Sequence, residues 1–593
     1  MPHGQDRPEA SIPHVEGQNY SAWAPGLDSR IPSRLHHRIT LFAAENSRIS
    51  HDEATEAAKF CGLEINRLID LTAERMVVHE LLVRVTADLS VPDGPSYEYL
   101  GLSLRGMVDV LHRAHLAPHM EAITAAYENL RDDAAARMQA ILSGTPAAAD
   151  ADTRSFWQKL TRRQKPRQHS ADRAHTDDEA RIKSWRDQSA TATDPVDRAC
   201  YAALAELGLA MVTHRSRLGA DHDALVGLAL RLFCSNYGPV FIRQLVAPHF
   251  TAGAEAEGYR FLPAQDKRII MNTKGASAAG KSTIRPHQRR LAESLGIRWE
   301  DFALISPDYW RKYLLDYDSL GADFKYAGML SGQELAIVDQ KLDRYMAEKA
   351  DRGDVPHLLI DRFRFDSFLI DSDGGLQSTL LTRFGDTVFL FFVITPPHET
   401  VERAWKRGLT TQRYKAVDDL LYHNIEAYTG IPELFFAWTA TTDKTVHFEF
   451  LDNDVPLGQD PKTIAYGCNN AMTVFDPVCL SRIDHYREVN IEARRPEDVL
   501  DPAYVADYTF LRRCLATIPH IDFADPDTGA VFGGYREGSW ECVDPAARPA
   551  ALASEDRLMQ AIDLAGQPAS GTAHQIDFDE ASRFTLGRWG AKI

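Results

Sequence analysis

Gly275-Ala276-Ser277-Ala278-Ala279-Gly280-Lys281-Ser282-Thr283 fits the spacing G-x-x-x-x-G-K-[ST]. Glycines at its two ends let the backbone curl until its N–H groups converge, which is what a polyphosphate needs. A helix starting directly behind such a loop adds the positive end of its dipole. In this arrangement the lysine reaches the β- and γ-phosphates and the Ser282 hydroxyl ligates Mg²⁺. The expected ligand is therefore ATP with Mg²⁺. Pro286 is the discordant residue, because a proline inside the following helix would delete a hydrogen bond or force a kink.

The partners of such a loop belong at the C-terminal ends of neighbouring strands, where open α/β sheets bind ligands. Phe302–Ser306 (FALIS) reads as a strand that runs into Ser306-Pro307-Asp308-Tyr309-Trp310-Arg311. Asp308 stands where it can accept a proton from a substrate hydroxyl. Arg311, one turn on, is placed to hold a phosphate or to orient Asp308. A second strand, His357–Asp361 (HLLID), ends in Asp361-Arg362. Asp361 is the candidate to share a magnesium shell with Ser282. Asp361, Arg311 and Arg364 are the candidates on the substrate side. A motor ATPase would carry a glutamate after that aspartate to activate water, and here an arginine follows. This favours transfer to a bound acceptor over hydrolysis. No Asn-Lys dipeptide occurs, so the guanine-recognition motif N-K-x-D is missing. Beyond Thr387–Thr395 (TVFLFFVIT) an arginine-rich stretch includes Arg403, Arg407 and Arg413, and reads as a lid that closes over a triphosphate and neutralises developing charge.

With these residues in order, the segment from about 265 to 460 resembles the zeta-toxin family of P-loop kinases. The pieces that carry the resemblance are GASAAGKST, SPDYWR, LLIDRFR, the lid arginines, and FLDND near Asn453. The cradle lacks the Pro-Gly often found inside it in that family. The resemblance implies that Lys281 binds phosphate, that Asp308 is the acceptor base, and that Arg407 and Arg413 contact the triphosphate. It also implies that the loop around Asn453 lies near the adenine. The implied activity is transfer of the γ-phosphoryl group to a hydroxyl of a nucleotide-activated amino sugar. The resemblance covers about one third of the chain.

The elements that must position these residues follow from periodicity. Short apolar runs at 268–273, 302–306, 357–361, 387–395 and 446–451 alternate with helical patterns, which means α/β architecture with a mainly parallel sheet. The expected fold is an α/β P-loop kinase core with a mainly parallel sheet. An α-helical N-terminal region precedes it and a mixed C-terminal extension follows. Residues 1–34 read as a flexible arm, 35–143 as a helical domain and 144–195 as a linker. Residues 196–260 read as helices packing on the core, 261–460 as the kinase domain and 461–593 as the extension. Ser50…Glu53 and Ser331…Glu334 have the spacing of capping boxes.

Charge and composition narrow the partners. The formal net charge of −18 repels phosphate backbones, so nucleic acid is not the expected partner. The basic stretch Arg162–Arg167 nevertheless keeps a polynucleotide 5′-hydroxyl kinase as one alternative. A non-enzymatic P-loop switch that binds a protein is another. The expected partners are a small-molecule hydroxyl acceptor and a protein inhibitor or regulator. Seven scattered cysteines without a C-x-x-C pair read as reduced thiols. No run approaches the roughly 20 apolar residues of a membrane span, and the N-terminus does not read as a signal peptide. The expected compartment is cytoplasmic. His112, His115 and His119 share a helical spacing suited to zinc, but Pro118 interrupts it, and they read as ordinary histidines. Asp525–Gly529 reads as a plain turn.

Overall fold

The computed structural model describes residues 20–94, 97–144, 170–219, 221–362, 381–456 and 458–542, together with 557–558, 560, 569–570 and 575–589. Among these, Ile269–Lys274 (β1), Phe302–Ile305 (β2), His357–Asp361 (β3), Thr387–Ile394 (β4) and Thr445–Asp452 (β5) lie parallel in the order β2-β3-β1-β4-β5. β2 and β4 are buried along nearly their whole length. That is why their sequences run continuously apolar: helices cover both faces of a parallel sheet. The register sets Thr273 opposite both Asp361 and Phe391, so β1 and β3 end side by side while β4 runs on to Ile394.

The C-terminal extension continues the same sheet. Lys462–Cys468 (β6), Ala471–Val474 (β7), His520–Ala524 (β8), Val531–Arg536 (β9), Ser539–Cys542 (β10) and Ala569–Ser570 (β11) follow β5 outward to give eleven strands. The whole sheet is mixed and mostly parallel. The buried Glu449 on β5 anchors the last described segment. Its carboxylate accepts from Thr463 Oγ1 at 2.6 Å and from the amides of Leu586 and Gly587 at 2.7 and 3.0 Å.

The N-terminal helices are His51–Cys61 (α1), Ala73–Asp88 (α2), Tyr97–Val110 (α3), Met120–Ser143 (α4), Ser170–Thr191 (α5), Pro195–Arg215 (α6), His222–Asn236 (α7) and Gly238–Ala256 (α8). α1 opens on the expected capping box between Ser50 and Glu53. The core helix is α2, buried on almost every face, and it lies against β2 and against Gly332–Asp351 (α12). One continuous cluster of buried apolar residues runs from Leu35 to Leu586. The helical region is therefore a layer of the same core that encloses the sheet.

Several expectations need correction. Residues 170–191 are not linker but helix α5, which packs on α6 through the buried Ile182 and Trp185. Only those two large apolar side chains anchor a strongly polar helix, so its periodicity is faint. Residues 145–169, with the basic stretch Arg162–Arg167, lie outside the described residues. Residues 20–34 are not a loose arm. Ala22 is buried among Val401, Ala404 and Val417, and Leu27 packs with Tyr414 and Ala416. Ser331 and Glu334 form no capping box: Ser331 Oγ donates to Ala327 O, and Glu334 turns inward to Arg75 and His79. Pro286 causes no break, because a 3₁₀ turn at Lys281–Ile284 intervenes and Pro286 falls in the first turn of Arg285–Ser294 (α9). Among the described residues no single helix is long and apolar enough to cross a membrane. The α7–α8 pair meets that test only jointly and is bent by 42°.

Candidate functional site

The Gly275–Thr283 loop leaves β1 beside the end of β3, and β4 and β5 run on past it to Ile394 and Asp452. A side chain at Gly275 would put its Cβ 2.8 Å from Val393 O, so the loop can pass β4 only with glycine there. Gly280 has φ +95°, and a Cβ on it would stand 2.3 Å from Asn453 Nδ2. Ala278 takes φ +62°, a left-handed conformation uncommon for a residue with a Cβ. The ends of β4 and β5 hold this curl in place. Asn453 Nδ2 and Thr395 Oγ1 both donate to Ala279 O, at 2.7 and 3.0 Å. The Asn453 side chain is thus buried against the loop backbone, which it braces.

Lys281 Nζ folds back over the loop and donates to the carbonyls of Gly275 and Ala276 at 3.1 and 2.9 Å. Burial pulls its ammonium below the ordinary lysine value, while Asp361 and Asp308 pull the other way. Ser282 Oγ donates to Asp361 Oδ2 at 2.6 Å. The β1–β3 register brings this hydroxyl and this carboxylate together. They are the kind of oxygen donors that a hard cation such as Mg²⁺ takes, so the residues present fit that ion.

Asp308 sits on the 3₁₀ turn Pro307–Trp310 behind β2. Its Oδ1 accepts from Arg311 Nε at 3.1 Å, and Arg413 Nη2 lies 2.6 Å from Oδ2. Burial raises the Asp308 carboxyl, but Arg413, Arg311 and Arg407 outweigh it and hold the group far below the usual carboxylate range. Arg311 continues into Arg311–Leu314 (α10) and also donates to Gly328 O beside Ala327–Leu330 (α11). Arg407 lies on Pro397–Thr411 (α13), and Arg413 follows the left-handed Gln412 that ends it. Both arginines act electrostatically on Lys281 and on Asp308. Arg403 ties α13 to the loop behind β5 by donating to Asn453 O at 2.8 Å. The structure therefore brings Gly275–Thr283, Asp308, Arg311, Asp361, Arg407, Arg413 and Asn453 to one sheet edge. Arg364 lies outside the described residues.

Three further residues face the same space and were missed in the sequence. Lys415 Nζ stands 3.0 Å from Asp419 Oδ2 and 2.6 Å from His423 Nδ1, at the start of Val417–Thr439 (α14). Burial brings Lys415 down to about 8, against the raising effect of Asp419. Burial and Lys415 likewise keep His423 below its ordinary value. Lys415 feels Arg311 and Arg407, and His423 feels Lys281 and Asp308. The four-residue spacing of Asp419 and His423, which puts both on one face of α14, was the available signal, and Lys415 stands just before that helix. The site as a whole sets the cations Lys281, Arg311, Arg407, Arg413 and Lys415 against the carboxylates Asp308, Asp361 and Asp419. In a chain of net charge −18 this local excess of positive charge suits an anionic ligand.

Compared with known proteins, the chain matches no family model, no curated protein and no solved structure.

Proposed function

We propose that this protein is an ATP-dependent phosphotransferase with a P-loop, acting on a hydroxyl of a small molecule of the nucleotide-activated sugar class. The observation that carries the reading is the Ser282–Asp361 hydrogen bond beside Lys281, at the level where β1 and β3 end. A hydroxyl and a carboxylate that share a proton in this way are poised to share a divalent ion instead. Mg²⁺ held by Ser282 and Asp361 would neutralise phosphate charge.

This chain's own residues supply the remaining work. The Gly275–Thr283 backbone and Lys281 hold the β- and γ-phosphates. Arg407 and Arg413 take up charge that develops on the transferred group. As the acceptor oxygen bonds to the γ-phosphorus, its proton passes to Asp308 and the bond to the ADP oxygen breaks. Arg413 links these roles. In moving from Asp308 to a triphosphate it would raise the basicity of the carboxylate just as the nucleotide arrives. Lys415 and Asp419, beside Arg311, are suited to orient an acceptor that carries phosphate and hydroxyl groups.

The test is incubation of the full chain with γ-labelled ATP, Mg²⁺ and a metabolite extract, reading which masses gain a phosphate. Lys281→Ala serves as the control and should lose about 10²–10³ in rate. No labelled product, with wild type and Lys281→Ala alike in ATP binding, would sink the reading. Labelling of a 5′-hydroxyl oligonucleotide alone would move it to a polynucleotide kinase. An ATP-dependent structural change without any transfer would move it to a switch that binds a protein partner.

A further inference from the structure

A cavity of about 830 Å³ lies between the chain that enters α1 and the segment that follows α10. None of the site residues described above lines it. Its wall includes His36, His51, Asp52, Glu45 and Asp316. We propose that His36, His51 and Asp52 bind a divalent transition-metal ion of the zinc class, with a coordination position open to this cavity.

The first argument is distance. One ligand atom from each of the three residues lies within 4.8 Å of the other two. His51 Nδ1 and Asp52 Oδ1 are 3.6 Å apart. Two ligands at the usual zinc distances in a tetrahedral shell stand roughly 3.4 Å apart. The gap is too long for a hydrogen bond and close to what a shared metal ion spans.

The second argument is polar accounting. His51 Nδ1 is shielded from solvent and makes no hydrogen bond, although buried polar atoms nearly always have a partner. The His36 ring lies beside the His51 ring with centroids 4.1 Å apart, and Phe42 closes another side edge-on at 5.3 Å. Two imidazoles set side by side, one with an unused nitrogen, form a nitrogen donor pair.

The third argument is charge. His51 and Asp52 open α1, and a helix N-terminus disfavours a cation. The Asp52 carboxylate opposes that field directly. Glu45 and Asp316 on the cavity wall add to it and offset Arg38 and Arg75 on the same wall. Two nitrogens and one oxygen leave a zinc-class ion at least one ligand short of four, and the cavity is where a water or an anionic ligand would complete the shell. The histidines with a suggestive spacing in the sequence are engaged elsewhere: His115 pairs with Glu257, and His119 stacks on His249. The inference does not rest on the phosphotransfer reading.

The test uses the full chain, stripped with a chelator and titrated with Zn²⁺ in excess Mg²⁺ so that oxygen-only sites are filled. One equivalent should bind more tightly to wild type than to His36→Ala or His51→Ala, each weakened at least about 10-fold. Co²⁺ should give visible absorption bands of a low-coordinate nitrogen–oxygen site that vanish in His51→Ala. A measurement on wild type alone guards against misfolded variants. Zn²⁺ should protect His36 and His51 from acylation by diethylpyrocarbonate, mapped by mass spectrometry. Equal Zn²⁺ affinity and stoichiometry in wild type and a folded double variant would overturn the site. Unchanged acylation of His36 and His51 would overturn it as well.

Discussion

An aspartate held between guanidiniums is a weak base, and Asp308 is held by Arg311 and Arg413 together. Arg413→Ala should therefore do two things. With Arg413 in its proposed role on the transferred group, the rate should fall, and kcat should fall more than KM for ATP rises. The acidic limb of the pH–rate profile should also move to higher pH. The sign follows from the depressed Asp308 value: removing a cation lets the carboxyl rise toward its ordinary range, so it is protonated at a higher pH than in wild type. An unchanged acidic limb would mean that Asp308 is not the base. At this scale much was legible. The loop announced itself by spacing, and Asp308 and Asp361 by standing at strand ends. Asn453 was legible as a position but not as a brace on the loop, because its partner is a backbone carbonyl 174 residues away. Lys415, Asp419 and His423 were hidden because their chemistry depends on distant neighbours: Arg311 acts on Lys415 and Asp419, and Lys281 and Asp308 act on His423.

The five parallel strands were legible because each is an apolar run that both sheet faces bury. α5 and the stretch at 20–34 were not, since a few apolar side chains fix otherwise polar segments. That stretch carries consequences for α13. Trp23 Nε1 donates to Glu402 on α13 at 2.8 Å, and Ala22 is buried against Val401 and Ala404 of the same helix. Lys325 donates to Pro25 O and lies over the Tyr20 ring, which fixes the other end. Trp23→Ala should loosen α13, speed hydrogen exchange along 397–411 and raise KM for ATP, while leaving exchange in β1–β5 unchanged. Identical exchange in α13 would show that the 20–34 stretch does not hold this helix. A second prediction concerns the anchor at Glu449. Burial lifts this carboxyl to about 7 despite three donors. A folded value above the unfolded one stabilises the protonated form, so the contribution is complete below about pH 4.5 and is lost as pH rises through 7. It amounts to up to about 3 kcal/mol. Exchange at the Leu586 and Gly587 amides, corrected for intrinsic rates, should reveal easier opening at pH 8 than at pH 5. Glu449→Gln should flatten that difference.

At the scale of the whole molecule, the helical layer holds the turn that carries Asp308. Trp310 Nε1 donates to Thr86 Oγ1, Arg105 donates to Tyr309 O, and Arg75 donates to Leu314 O. Below them, Arg75 and His79 of α2 both meet Glu334 of α12, each at 2.6 Å, and Lys341 meets His79. Burial raises the Glu334 carboxyl, but His79 and Arg75 overcome this and keep it well below its ordinary value. Local sequence favoured a capping box at Ser331–Glu334, and these tertiary partners overrode it. The apparent boundary between a helical region and an α/β core follows from the same limit, because periodicity reports each helix's own face and not what lies across from it.

Two consequences follow. A chain beginning at residue 196 would lose α2, expose the side of β2 and α12 that α2 covers, and bury Glu334 without Arg75 and His79 or expose it. It should be insoluble or poorly folded. A sharper test keeps the chain whole. Arg75→Met removes one partner and leaves Glu334 buried with a single histidine, which should cost about 3–5 kcal/mol. It also frees Leu314 O behind the Asp308 turn, so kcat should fall although Arg75 touches no substrate. Adding Glu334→Gln removes the stranded charge while keeping an acceptor for His79. The double variant should then recover much of the stability but not the rate, because Leu314 O still lacks its donor. Strict additivity of the two substitutions in a thermal-shift cycle would show that the pair is not coupled. A double variant that regains wild-type turnover would show that the α2 contact does not position Asp308.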